Sequence, residues 1–367
     1  MSTEMKNVPS ERLVSIDALR GFDMFWIMGA DAFFGSLFQL IGFTVLARQV
    51  EHSAWNGFTF YDLIFPLFLF IVGASMPFSI GKRLERGDSR KGLTLHIVKR
   101  TLLLFALGLV YNHILDLNFQ EFRWAGVLQR IALCYCLTAL IVMNTKTKGQ
   151  AVAAAAILLA YWAVMKWVRV PGFGAGVLTP EANLAGYIDR QILPGKFCCY
   201  TFGDNEGLLS TLPAVSTTLL GVLAGQWLRS IHSQKKKTLG LLAGGVAGLA
   251  LGLLWNLVFP INKLIWTGSY VLYAGGWSLL LLGLFYWLID VRGHRKWAFP
   301  FVVIGLNPIT IYVAQGVFDF AILSGIAVHG FIHRLGTVEP LFDALCVLTV
   351  KWLFLYFLYR QKIFLKA

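Results

Sequence analysis

Apolar residues along this chain come in long unbroken runs, not at the alternating or three-to-four spacing of elements half-buried in water. Runs of about 20 residues, the length that crosses a bilayer as a helix, lie at 17–39, 61–81, 95–115, 124–143, 150–168, 207–228, 239–258, 269–289, 298–322 and 341–359. They predict an all-α, polytopic integral membrane protein of about ten transmembrane helices. Three of the runs carry interruptions: ionisable residues in the first, Pro66 and Pro77 in the second, and Asn307-Pro308 in the ninth. Proline at membrane depth frees backbone groups that neighbouring helices or water must meet, which points to a cavity nearby.

Composition agrees with that reading and excludes a water-soluble globule, since 57% of the 367 residues are hydrophobic and only 14% are charged. No shift in composition marks a second domain, so 1–367 reads as one membrane domain. The net charge of +13 is unevenly placed. Lys6, Arg12 and Arg20 open the chain. Lys82, Arg83, Arg86, Arg90, Lys91, Lys99 and Arg100 surround the second connection. Lys146 and Lys148, then Arg229 and Lys235 to Lys237, then Arg292, Arg295 and Lys296, then Arg360, Lys362 and Lys366 occupy alternate later connections. These are 22 of the 32 basic residues, and ten alternating helices put them all on one side. The positive-inside bias then predicts cytoplasmic termini, with 40–60, 116–123, 169–206, 259–268 and 323–340 outside. The first ten residues are polar and lack a short apolar segment with a cleavage site, so no removable leader is expected.

Other features bear less directly on chemistry. Cys134, Cys136 and Cys346 fall in apolar runs and Cys198-Cys199 are adjacent, without the spacing of a zinc site, so no chemistry is assigned to them. Gly240, Gly244, Gly248 and Gly252 make a stripe where another helix can approach closely, within the chain or between chains. The long outer segment 169–206 is expected to cap an outward-facing site.

Ionisable residues in membrane helices are costly to insert and mark function by default. The first helix has Asp17, Arg20, Asp23 and Asp31. Asp17, Arg20 and Asp31 fall within about 60° around its axis, with Asp31 roughly 16 Å beyond Arg20. Asp17 and Arg20 have the spacing of a local ion pair, whereas Asp31 needs a partner from elsewhere. Arg130 is the first choice for it and Lys351 the second. The segment Glu51–Asp62 is dense in polar groups: His52 suits a base for an incoming amine, and Thr59 with Asp62 has the spacing of a capping box. Trp55, Trp124 and Trp266 with Asp189, Asp204 and Glu206 in the outer segments could hold a sugar ring or an amine, and an interfacial aromatic belt explains the tryptophans equally well. These features leave open an enzyme and a proton-coupled secondary transporter built on Asp31, His52 and Arg130. No repeated half with matching broken helices supports the transporter.

Several segments in order resemble the heparan-α-glucosaminide N-acetyltransferase family: RLVSIDALRG at 12–21, HSAWNGFTFYDLIFPLFLFIVGAS at 52–75, RWAGVLQR at 123–130, AGYIDR at 185–190, DNEGLLSTL at 204–212, PINKLIWTGSYV at 260–271, GLNPITIYV at 305–313 and YRQKIF at 359–364. The resemblance implies a membrane enzyme that passes acetyl from cytosolic acetyl-CoA to the amine of a terminal glucosamine, as in heparan sulfate, or another amino sugar across the bilayer, without a metal. It implies that His52 is the catalytic histidine. Asp31 corresponds by spacing to a polar residue of the family's first helix, an asparagine in the lysosomal enzyme, and is assigned a catalytic place here. Arg20, Lys82, Arg83, Lys99, Arg100, Arg295 and Lys296 are the set from which the coenzyme A phosphates are held, with Asn307 lining the channel. Trp55, Asn56, Asp62, Arg130, Asp204, Glu206 and Trp266 are the acceptor-side candidates. Lys351 has no evident counterpart, and the lumenal domain of the lysosomal enzyme is missing. A bacterial inner-membrane protein with a periplasmic acceptor, and a homodimer, are the expected setting.

Overall fold

A computed structural model describes residues 13–119, 121–332 and 335–364. Lys6, Arg12 and Lys366 lie outside the described residues. The chain is an all-α polytopic membrane protein. Eight helices are long and apolar enough to cross a bilayer: Phe60–Glu85, Arg90–Tyr111, Val127–Asn144, Thr147–Trp167, Leu208–Arg229, Gln234–Asn256, Gly268–Val291 and Gly336–Arg360. A ninth span is the bent pair Phe299–Leu306 and Pro308–Val317. The first predicted run is helical as well, but it carries Asp17, Arg20, Asp23 and Asp31 and is broken: Val14–Phe25, a π turn at Trp26–Ala30, then Asp31–Leu40. Among the described residues the only strands are four of two residues each, paired as two small hairpins in the outer segment 169–206, beside the helix Leu184–Ile192.

The run at 298–322 is where the expectation needs correction. Pro308 lacks an N–H, and Asn307 before it leaves the helical conformation at φ −132°, so the helix turns by 70° there. The chain breaks again at Phe318, and Asp319 restarts it by accepting the Ala321 N–H at 2.8 Å. A further helix, Phe320–Ile332, then occupies much of the segment expected to be an outer connection, packed on Glu339–Arg360.

Phe60–Glu85 and Leu208–Arg229 form the centre, with 78% and 72% of their apolar windows buried. Arg90–Tyr111 and Gln234–Asn256 bury only 22% and face outward toward lipid. The two central helices meet through glycine. A Cβ at Gly73 would stand 1.9 Å from the Thr218 carbonyl oxygen, and one at Gly221 would stand 1.9 Å from that of Phe70. The Gly240–Gly252 stripe is spent inside the chain: Gly248 abuts Gly276, and Gly252 abuts Tyr273 of Gly268–Phe285.

Side-chain contacts sort the connections into two ends. Ser15 donates its N–H to Asp290, Arg229 reaches Glu85 at 2.7 Å and the Pro77 carbonyl at 2.6 Å, and Arg90 reaches Asn144. This end carries the basic connections. At the other end, Trp55 donates to the Leu178 carbonyl, Gly57 to Ile261, and Leu208 to Asp189.

Gly221→Leu is expected to cost about 1–3 kcal/mol or more through overpacking, read as a lower melting midpoint and an aggregated gel-filtration profile in detergent. Gly244→Ala, whose added Cβ would lie 3.6 Å from Leu279, should leave both unchanged.

Candidate active site

The site is built from two connections that cross at the non-basic end. The first is Glu51–Asp62. Thr59 and Asp62 close a reciprocal capping box at the start of the second helix, and this places the Asp62 carboxylate fully inside the protein. One of its oxygens accepts from the Ser53 N–H at 3.2 Å, the Thr59 N–H at 3.1 Å and the Thr59 hydroxyl at 3.2 Å. The other meets Nδ1 of His52 at 2.9 Å. A carboxylate in that position selects the tautomer with hydrogen on Nδ1, so the lone pair is on Nε2. The imidazole also packs on the Tyr61 ring at 4.8 Å, and just over half of its side chain is exposed.

The second connection is 257–267. Gly57 N–H donates to the Ile261 carbonyl, Asn262 donates to Asn56 at 3.1 Å, and Tyr270 donates its hydroxyl proton to the Asp62 carbonyl at 2.7 Å. Inside the turn, Asn262 accepts from Ile265, and Tyr161 caps the Ile265 carbonyl. These bonds aim Lys263 inward. Its ammonium lies 3.0 Å from Nδ1 and 3.2 Å from Nε2 of His52, and 3.6 Å from Asp62. Burial pulls the Lys263 pKa below its usual value, while Asp62 and Glu206 hold the charge against it.

Beside this triad stands a second charged group. Arg123 grips Asp204 with two N–H donors, at 2.7 and 2.5 Å, and also binds Asn205 at 3.0 Å and Glu206. Burial alone would loosen the guanidinium proton, but the two carboxylates raise its pKa above the ordinary value. Asp189 faces the N-terminus of Leu208–Arg229, accepting from the Leu208 N–H at 2.9 Å and the Asp204 N–H at 3.2 Å; burial still pushes its pKa up to about 6.

The family model for "Heparan-alpha-glucosaminide N-acetyltransferase, catalytic" matches residues 12–251, which include the His52–Asp62 pair and the Arg123 cluster. The heparan-alpha-glucosaminide N-acetyltransferase of Mus musculus is 30% identical over 324 residues, covering 73% of this chain and 49% of its own length. That of Homo sapiens is 27% identical over 412 residues, covering 97% and 60%. The chain belongs to the heparan-alpha-glucosaminide N-acetyltransferase family. It spans about half to three fifths of the length of these two relatives.

Within this family member, the residues singled out from sequence fall in three places. His52, Asp62, Asn56 and Trp55 gather around the crossing connections; Trp55 also meets the Tyr200 ring at 5.2 Å, so the outer segment 169–206 packs on the His52 loop. Asp204 and Glu206 stand next to them, bound to Arg123. Arg130 and Trp266 are deeper and both only 1% exposed, the guanidinium lying 4.9 Å over the indole. Trp266, expected on the outer surface, is thus inside the bundle, its indole N–H on Thr217. Arg130 reaches the Gly207 carbonyl and Ser210, while its Nε and Nη1 have no hydrogen-bond partner among the described residues. Arg130 is thus not the partner of Asp31, whose charge acts instead on Lys351 and Tyr61.

The donor-side set lies at the basic end. Arg20 pairs with Asp17 at 3.1 Å and donates to Ser75 at 2.7 Å and the Gly305 carbonyl. Arg83 pairs with Asp88, Arg100 lies 4.6 Å over the Tyr135 ring, and Lys82 and Lys99 flank them along the chain. Asn307 is fully buried at the bend and donates to the Ile363 carbonyl at 2.9 Å. Cys198 and Cys199, assigned nothing from sequence, are joined as a disulfide. No cluster of three or more His, Cys, Asp or Glu that could hold a metal ion exists among the described residues.

Lys263 and Arg123 are the site residues that sequence reasoning passed over. Both carried a signal: each is a basic residue in a connection on the side that the positive-inside bias keeps poor in Lys and Arg. Arg123→Ala would leave Asp204 and Glu206 buried without their cation, a loss of about 3 kcal/mol. The expected result is a clear fall in melting midpoint in detergent, and a smaller one for Arg123→Lys, which keeps the charge but not the fork.

Proposed function

We propose that the protein transfers the acetyl group of cytosolic acetyl-CoA to the amine of a terminal glucosamine or other amino sugar on the opposite side of the membrane. The observation that carries this reading is the His52–Asp62 pair at the end of the bundle opposite the basic connections. The basic end, facing the cytoplasm, offers Arg20, Lys82, Arg83, Lys99, Arg100, Arg295 and Lys296 for the coenzyme A phosphates, and the buried bend at Asn307 borders the path of the pantetheine arm. The His52 end faces outward, in a bacterial member toward the periplasm.

Asp62 holds Nδ1–H, so Nε2 of His52 takes the proton of the acceptor amine as its nitrogen attacks the thioester carbonyl. The new N–C bond forms, the C–S bond breaks, and coenzyme A leaves as the thiolate. The Lys263 ammonium, 3.2 Å from Nε2, supplies a positive charge to stabilise the negative charge that grows on the carbonyl oxygen. Direct transfer is favoured over an acetyl-histidine because more than half of the His52 side chain is open to solvent, which would hydrolyse an acetyl-imidazole. Trp55, Asn56 and the Arg123 cluster form the wall that the sugar meets. A homodimer of this protein would use a face other than the Gly240–Gly252 stripe.

The test is acetyl transfer from radiolabelled acetyl-CoA to glucosamine by purified protein, with coenzyme A release followed in parallel. His52→Ala should lose transfer, and Asp62→Asn should fall by about 10²–10⁴-fold. Full transfer by His52→Ala, or an acetylated intermediate trapped on His52, would overturn respectively the site and the direct route.

A further inference from the structure

The first helix is broken in its middle. Gly29 takes φ 123° and ψ 10°, and a Cβ there would meet nothing within 4 Å, so the glycine is required by its backbone conformation and not by crowding. A break at membrane depth frees carbonyls that need donors. Two side chains from other helices supply them. Gln315 of Pro308–Val317 donates to the Ile27 carbonyl at 3.4 Å, and Lys351 of Glu339–Arg360 donates to the Met28 carbonyl at 2.7 Å. Lys351 also donates to the Gln315 side-chain oxygen at 3.1 Å, which joins the two donors into one unit. A lysine in this position is not reaching for the membrane surface. Its ammonium is turned into the bundle, over the Phe320 ring, with Asp31 and Asp319 as the carboxylates whose charge reaches it.

Asp31 begins the helix just beyond the break. Its charge acts on the Tyr61 hydroxyl, and the Tyr61 ring packs on the His52 ring. Lys351 is thus bonded to the broken turn that sets where Asp31 begins, and the charge of Asp31 acts on the tyrosine that packs on the imidazole.

We propose that Lys351 and Gln315 clamp the break at Gly29 and act as positioning residues, holding Asp31 against Tyr61 and so fixing the orientation of the His52 ring. The inference rests on His52 being the reacting base, as proposed above. A cavity of about 400 Å³ borders both clamp side chains, leaving room for a larger guanidinium at position 351.

The experiment compares full-length wild type, Lys351→Met, Gly29→Ala, their double variant, Gln315→Leu and Lys351→Arg. Lys351→Met and Gly29→Ala should each lower kcat about tenfold or more with KM nearly unchanged, since misplacing a reacting group costs rate and not binding. The double variant should be no worse than its worse parent, because both changes remove one geometry. Gln315→Leu should move kcat the same way by a smaller factor, and Lys351→Arg should restore most of it. A second readout needs no turnover: the rate at which diethylpyrocarbonate modifies His52, followed by mass spectrometry with exposed His294 as the internal control. It should change in Lys351→Met and Gly29→Ala while His294 stays constant. An unchanged kcat, multiplicative effects in the double variant, or an unchanged His52 modification rate would each overturn the clamp. Should Lys351→Met fail to fold, Gln315→Leu decides by the same two readouts. If the wild type transfers no acetyl, the proposed activity fails, and the His52 modification rates still decide the clamp.

Discussion

A carboxylate buried at the end of a membrane helix must have its lone pairs met by the protein, because no water is at hand to do so. Asp62 is that carboxylate, and much of the non-basic end follows from it. Three donors from the Ser53 and Thr59 region fold Glu51–Asp62 back over the helix start, and the remaining oxygen selects how His52 is turned. The charge that balances it comes from Lys263, 201 residues further along the chain and reachable only because the two connections are tied by Gly57, Asn56 and Tyr270. One capped helix terminus thus determines the local fold and the identity of the basic nitrogen.

The same economy of charge governs the rest of that end. Arg123 balances Asp204 and Glu206, and Asp189 sits on a helix N-terminus. At the basic end, by contrast, Arg83, Arg90 and Arg229 make exposed contacts that contribute little stability each. At the opposite end, Arg123 and Lys263 are instead partnered with buried carboxylates.

The helices were legible because bilayer thickness imposes a length on apolar runs, and local devices were legible because their partners are close in sequence: the Asp17–Arg20 pair and the Thr59–Asp62 box both formed as spacing predicted. Contacts between distant segments were not. Nothing in the apolar run 298–322 marks how sharply Pro308 would turn the helix, and a second helix in 320–332 reads as outer connection once the count of ten is filled. Trp266 looks like an interfacial tryptophan until the turn that carries it is seen to point inward, onto Arg130. The match of Asp31 to Lys351, and of His52 to Lys263, depends on which helices cross, and an ionisable residue in a membrane segment names its need for a partner without naming the partner.

Segments outside helices and strands usually carry the looseness of loops. The His52 segment does not, because it is tied to the turn 257–267 by the Gly57 and Asn56 bonds, to the helix that follows by Tyr270, and through Trp55 to the segment 169–206. To lift this segment off the bundle, the protein would have to pull both connections apart at once. Local opening of the backbone that carries His52 therefore shares the free energy of a larger cooperative unit, and this segment keeps its place through fluctuations that would displace an ordinary surface loop.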